Sequence, residues 1–309
     1  MQVFTTIIPI FAVVILGCIA RRKGFMPEAF LGPANRLVFY LAIPALIFQS
    51  IARASLHTQF NAAVLLLTIL AAVLAYTSAW LIAHFIHWPS NRKGTFIQCA
   101  GHGNLGYIGL PVALYFLGET GLIKASILAG FLMILQNTLS VLVLQAHCID
   151  EADAGKKAQA IAKSLVRNPV ILSALSGVLV SFWEIPIPLA IQRFLEILSG
   201  LAPPMSLLLI GASLSLTVMR QNFLFVLGAV VYKIIALPLM GLIFFSIFKI
   251  TPADFLPGLI LLATPTATVA YVMSKEMHGD EAFAVAAIST STVFSAASYL
   301  VWLTLVGQG

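Results

Sequence analysis

Apolar residues run in long blocks along this chain, and the breaks between blocks are short. Punctuation by charge, proline and glycine leaves ten segments, at about 3–20, 35–53, 61–86, 95–117, 122–146, 167–183, 194–218, 222–248, 255–274 and 281–305. Each lies near the roughly 20 residues that a membrane-spanning helix needs. Together they nearly use up the chain, so no soluble domain of any size remains. The longest polar stretch, near 148–166, contains DEADAGKK (Asp150 to Lys157) and reads as a cytoplasmic connector. The pattern predicts an all-α integral membrane protein of ten transmembrane helices.

Composition strengthens that reading. Hydrophobic residues make up 60% of the 309 and charged residues 9%, against roughly 25% charged in a soluble domain. The net charge of +6 does not point to nucleic acid, because the basic residues are scattered through short loops. Cys18, Cys99 and Cys148 show no metal-ligand spacing, and their odd number argues against a disulfide framework. No metal or other cofactor is expected. The first apolar block is followed, not preceded, by the basic cluster Arg21, Arg22 and Lys23, the reverse of a cleavable signal. That order places the N-terminus outside.

With ten spans, twelve basic residues then fall in cytoplasmic segments: Arg21, Arg22, Lys23, Arg36, Arg92, Lys93, Lys156, Lys157, Lys163, Arg167, Arg220 and Lys275. Only Arg53, Lys124, Arg193 and Lys249 fall outside, which is the bias of an inner (plasma) membrane protein with both termini outside.

Sliding the chain by 160 residues brings Pro9 onto Pro169, Gly17 onto Gly177, LAIP (Leu41 to Pro44) onto LAPP (Leu201 to Pro204) and Asn61 onto Gln221. The domain reading is therefore 1–147 as one five-helix repeat, 148–166 as connector and 167–309 as the second repeat. Five is odd, so the second repeat enters the membrane from the opposite side. Inverted repeats of this kind are the architecture of many secondary transporters.

The same shift lays GNLGYIGLP (Gly103 to Pro111) on ATPTATVAY (Ala263 to Tyr271), so the fourth and ninth spans are both interrupted. Glycine unwinds backbone without a Cβ penalty and proline removes a donor. The freed N–H and C=O groups must face protein or a wet cavity, since lipid cannot satisfy them. Paired broken helices are the best sequence pointer to a transporter's site. Half-helix N-termini there can attract an anion.

GFMP (Gly24 to Pro27), NRLVFYLAIPALIF (Asn35 to Phe48), GNLGYIGLP, RNP (Arg167 to Pro169) and PMSLLLIG (Pro204 to Gly211) together resemble the auxin efflux carrier family, including its bacterial members, over nearly the whole chain. The resemblance implies two inverted five-helix repeats, a scaffold part, a transport part, and a crossover of helices 4 and 9 at the site. It implies alternating-access transport of a small organic anion such as malonate, malate or an auxin-like aromatic acid, and a homodimer is usual among relatives. The family's first-crossover asparagine corresponds to Asn104, beside Gly103 and Gly106, with Pro111 as its proline. Pro265 corresponds at the second crossover, with Thr264, Thr266 and Thr268 around it. Plant members carry an asparagine near the second crossover where this chain has threonines, and the long loop of many plant members is absent.

Lys233 lies about eleven residues into the eighth span, roughly 16 Å deep at 1.5 Å per residue. It either attracts an organic anion or serves structurally, on helix-end carbonyls or by snorkelling. Gln136 and Asn137 sit within the fifth span where the repeat offers alanines; Asn137 is a candidate substrate contact and Gln136 an interhelical hydrogen-bonding residue. Ser289, Thr290, Ser291 and Thr292 read mainly as packing residues, and Glu196 and Arg36 as interfacial. His102 adjoins the crossover, either as a packed or solvated histidine or as a group that handles protons. No Asp or Glu lies mid-span. Two alternatives remain beside the anion carrier: an ion-coupled antiporter or symporter of another substrate class on the same scaffold, and an intramembrane enzyme, for which Cys99 with His102 is the sole dyad at hand. A channel would need a ring of charges or a carbonyl filter, and neither is visible.

Overall fold

The structure, a computed structural model, describes residues 2–53, 60–148 and 167–306. Beyond Cys148 the expected connector lies outside the described residues. Every regular element among the described residues is helical. In chain order these are α1 (Gln2–Arg22), α2 (Glu28–Leu37), α3 (Ile43–Ala52), α4 (Ala62–Phe85), α5 (Ser90–Gly101), α6 (Leu110–Cys148), α7 (Pro169–Phe182), α8 (Leu189–Gly200), α9 (Ala202–Ser213), α10 (Leu216–Val231), α11 (Leu237–Ile247), α12 (Pro252–Leu262), α13 (Val269–Glu276) and α14 (Glu281–Val306). Single wide turns of π-helix at Val38–Ala42, Leu105–Gly109 and Tyr232–Ala236 lead into α3, α6 and α11.

Seven helical stretches are long and apolar enough to cross a membrane: Val3–Arg22, Glu28–Ala52, Ala62–Phe85, Leu105–Cys148, Leu189–Ser213, Leu216–Ile247 and Glu281–Val306. The difference from ten has three local causes. The break expected at 118–121 falls inside the 44-residue stretch Leu105–Cys148, where two helices meet across a kink at Gly118 (φ 71°), a backbone conformation glycine tolerates. α7 has only 14 residues. The segment 255–274 is split into α12 and α13, of 11 and 8 residues. Eleven helical residues reach about 16 Å, roughly half the hydrocarbon thickness.

The described helices cluster into two compact units that interleave along the chain. One takes Met1–Asn61, Leu105–Phe131 and Val166–Ser213. Its helices meet backbone to backbone. A Cβ on Gly17 of α1 would lie 2.1 Å from the Leu208 carbonyl oxygen of α9, and one on Gly211 would lie 1.8 Å from that of Val14. α7 meets α3 likewise: a Cβ on Gly177 would stand 3.2 Å from the Phe48 carbonyl oxygen. Glycine at such contacts is the membrane substitute for hydrophobic packing, since lipid offers no aversion to drive helices together. Asn168 and Pro169 start α7. The Asn168 side chain accepts from the Val170 amide at 2.9 Å, and Pro169 fills a position that needs no donor.

The second unit takes Ala62–Asn104, Leu132–Leu165 and Leu214–Gly309. α4 is its centre, packed by α5, α11 and α12. A stripe of small residues spaced by three or four, Ala72, Ala75, Ala79 and Ala83, is buried along α4. α10 packs on α14, and in the π-turn after α10 the Ile234 carbonyl accepts from Ser298 Oγ (2.7 Å) and Trp302 Nε1 (2.9 Å) of α14. At one end Arg92 Nε pairs with Asp280 Oδ2 at 2.8 Å. Asp280 Oδ1 caps α14 at the Phe283 amide, and its own amide donates to Thr95 of α5. This unit contains the breaks that follow Gly101 and Leu262.

Candidate functional site

α5 stops at Gly101 and α12 at Leu262. The extended backbone that follows each meets the other. Gly103 and Thr266 form an isolated antiparallel bridge. The Asn104 amide donates to the Pro265 carbonyl at 2.8 Å, and the Ala267 amide to the His102 carbonyl at 2.9 Å. Two helices are thus unwound at one point, and part of the hydrogen bonding each gives up is recovered from the other.

The remaining freed groups can be followed one at a time, because a buried orphan amide or carbonyl costs about 1–3 kcal/mol. In an unbroken α5 the Gly103 amide would reach the Cys99 carbonyl. Instead it donates to Gln136 Oε1 at 3.1 Å, and the Cys99 carbonyl accepts from Thr266 Oγ1 at 2.9 Å. In an unbroken α12 the carbonyls of Ile260, Leu261 and Leu262 would take the amides of residues 264 to 266. Residue 265 is a proline and has none. Ile260 accepts from the Tyr299 hydroxyl at 3.0 Å, Leu261 from Thr264 Oγ1 at 2.7 Å, and Leu262 from Lys233 Nζ at 2.8 Å. The Thr266 amide donates to Ser291 Oγ at 3.0 Å. Side chains from α6, α14 and the π-turn at Tyr232–Ala236 therefore stand in for missing helix turns.

Lys233 is completely buried. Its ammonium lies at the C-terminal end of α12, where the aligned peptide dipoles leave roughly half a negative charge. Among the described residues the ion pairs are Arg21–Glu28, Arg53–Glu196 and Arg92–Asp280, and Lys233 belongs to none of them. Removing an ammonium from water carries an effective penalty of several kcal/mol, which a partial dipole charge offsets only in part. A Cβ built on Gly103 would stand 3.2 Å from Lys233 Nζ and 2.3 Å from Thr264 Oγ1. Glycine is thus the residue that lets the bridge lie against both.

A second buried chain starts at His102. Its Nδ1 is 2.8 Å from Ser140 Oγ, which is 2.8 Å from the Tyr76 hydroxyl, and that hydroxyl donates to the Gln136 carbonyl at 3.2 Å. The His102 ring is engaged with Ser140 through Nδ1, and no hydrogen bond joins it to Cys99.

Of the residues singled out from sequence, Gly103, Asn104, Thr264, Pro265, Thr266 and Lys233 meet at this crossing. Thr268 lies just beyond it, half-buried at the start of α13, without a side-chain cap bond. Asn137 is engaged elsewhere, its amide donating to the Met133 carbonyl of its own helix at 2.7 Å. The neighbouring Gln136 reaches the crossing. Gly106 and Pro111 belong to the other unit, in the π-turn at Leu105–Gly109 and on the second residue of α6. Tyr299 escaped sequence reasoning, since nothing near it in the chain marks it as polar support. Ser291 was visible only as one hydroxyl among four.

The family model described as "Membrane transport protein" matches residues 2–159 and 155–303. The chain belongs to this family, the auxin efflux carriers. A "Putative malonate transporter" of Rhizobium meliloti (strain 1021) is 26% identical over 305 residues, covering 98% of this chain and 95% of the relative. An "Uncharacterized transporter" of Methanothermobacter thermautotrophicus is 25% identical over 298 residues, covering 96% of each. A multi-pass transport protein is the common ground of the family, the relatives and the apolar helices. In this auxin efflux carrier family member the two broken helices and the buried polar groups around them form the candidate site.

Proposed function

We propose that this chain is a secondary carrier of a small organic anion, working by alternating access in the inner membrane with both termini outside. The observation that carries the reading is the antiparallel bridge between Gly103 and Thr266. Backbone is unwound there in two helices at once, beside a buried cation. Such a place suits a carboxylate.

The proposed architecture is ten helices in two inverted repeats. In the first unit, Gly17 lies against Leu208 and Gly177 against Phe48. An offset of 160 residues carries each member of one pair onto a member of the other. At the crossing an offset of 163 residues turns the Ala267–His102 bond into the Asn104–Pro265 bond. Both relations support a two-fold, with three residues gained between α9 and the second crossing. The unit bearing the crossing then serves as the transport part and the other as scaffold. Asn104 and Lys233 supply polar contacts to the substrate, and Thr264 and Thr266, whose hydroxyls donate to the Leu261 and Cys99 carbonyls, hold the unwound backbone around it.

The relative named for malonate makes malonate the first substrate to try. Proteoliposomes loaded with unlabelled malonate should accumulate labelled malonate by counterflow, saturably. Flux without counterflow, or no flux with any of malonate, malate and indole-acetate, would overturn the reading. Repeating the assay with and without sodium and pH gradients separates uniport from the ion-coupled alternative.

A further inference from the structure

We infer that Lys233 and Gln136 together hold one carboxylate of the transported species, and that this species occupies the site carrying a single net negative charge. The inference rests on the carrier reading above and deepens it. Both side chains border Gly103. The Gln136 amide oxygen takes the Gly103 amide at 3.1 Å, and Lys233 Nζ would lie 3.2 Å from a Cβ placed there. Gln136 is fully buried and its Nε2 has no hydrogen-bond partner. Lys233 is fully buried and has one protein acceptor, the Leu262 carbonyl, for an ammonium with three donors. Two donors with spare capacity therefore face the same turn of unwound backbone, and one of them is an amine, outside the three ion pairs of the described residues, whose charged form a bound anion would favour. A carboxylate supplies what both lack: two acceptor oxygens and one negative charge.

The charge count follows from the same residues. Lys233 is the one fully buried Lys or Arg among the described residues. A second negative charge brought to this depth would have no buried cation to meet it, and an uncompensated buried charge is strongly disfavoured. A dicarboxylic acid would therefore be carried as its half-protonated monoanion, and a half-ester would be accepted in its place.

The test uses the purified full chain with malonate, monomethyl malonate and dimethyl malonate as probes, read by melting temperature and by competition for malonate counterflow. Monomethyl malonate should raise the melting temperature and compete at neutral pH at least as well as malonate, while the dimethyl ester does neither. Lowering the pH should strengthen malonate more than the half-ester; the half-ester thereby controls for titration of the protein's own groups, Lys233 and His102 among them. Gln136→Glu places a carboxylate beside Lys233. That variant should melt no lower than wild type without ligand, yet bind monomethyl malonate at least tenfold more weakly. Lys233→Met should show the same loss.

Malonate that binds better as pH rises, with the half-ester inert, would overturn the single-charge assignment and leave the carrier standing. Undiminished half-ester binding in Gln136→Glu would remove the two residues from the carboxylate. Absence of counterflow for every organic anion in the wild type would instead remove the carrier reading itself.

Discussion

Replacing Gly103 with alanine isolates the contact on which the crossing depends. The new Cβ would stand 2.3 Å from Thr264 Oγ1, about an ångström inside an ordinary van der Waals contact. Gly103 has no positive φ, so alanine brings no backbone strain and the collision is the whole effect. Two responses are open. Thr264 can swing away and give up its 2.7 Å bond to the Leu261 carbonyl, which costs about 1–3 kcal/mol if that carbonyl is left poorly satisfied. Otherwise the two backbones must part, an overpacking cost of about 1–3 kcal/mol, with the Asn104–Pro265 and Ala267–His102 bonds stretched as well. Gly103→Ala should therefore lose about 1–3 kcal/mol, whichever response is the cheaper, and lose uptake. Thr264→Ala alone forfeits one hydrogen bond, about 1 kcal/mol net. It also opens the space the new methyl needs, so the double variant should be more stable than Gly103→Ala alone. That is a coupling of about 1–2 kcal/mol, of the size expected between side chains in contact. Denaturation of the detergent-solubilised proteins, with all four members of the cycle, measures it. Additive losses would mean that Thr264 does not sit against Gly103, and the geometry of the crossing would be wrong.

Three further outcomes follow from single contacts. Gly17→Ala should prevent accumulation of folded protein, because the Leu208 carbonyl 2.1 Å away is backbone and cannot rotate aside, whereas Gly32→Ala, with nothing within 4 Å, should be neutral in the same size-exclusion assay. Ser291→Ala orphans the Thr266 amide and should lower stability by about 1–3 kcal/mol; Ser291→Thr keeps the hydroxyl and should recover part of that loss. In proteoliposome uptake Asn104→Ala should fall well below wild type at equal protein level, and Asn137→Ala, whose amide is spent on its own helix, should match wild type; the reverse order would exchange their roles.

The breaks themselves were legible in the sequence because glycine and proline act locally. Pro265 lacks a donor and Gly103 lacks a Cβ wherever they stand, so an interrupted span could be read from the letters alone. What mends the breaks was not legible in the same way. Gln136 and Asn137 are adjacent amides, and one helical step of about 100° decides which of them points at the crossing. Sequence reading favoured Asn137 as the substrate contact, and the structure brings Gln136 to Gly103. Lys233 was visible as a cation at depth, but its acceptor, the Leu262 carbonyl, becomes available only because Pro265 and the turn behind it have ended α12. The break expected at 118–121 was legible for the same local reason as the others, since Gly118 takes a left-handed φ of 71° where two helices meet.

Register shows most plainly where one dimension stops being enough. On the proposed repeat, a gapless shift of 160 is right for Gly17 and Gly177, whose contacts exchange at that offset. It sets Asn104 opposite Thr264. The backbone bonds of the crossing exchange at 163 instead, which sets Asn104 opposite Ala267 and Pro265 opposite His102. Three residues inserted between matched landmarks leave each half looking regular while displacing the correspondence where it matters. The consequence is chemical. At the true register the first crossing has an amide side chain where the second has only a methyl, and a histidine where the second has a proline. The proposed two-fold would therefore be broken in side chains at its centre. An anion lying on the axis would meet Asn104, Gln136 and Lys233 on unequal terms, so its two ends need not be alike.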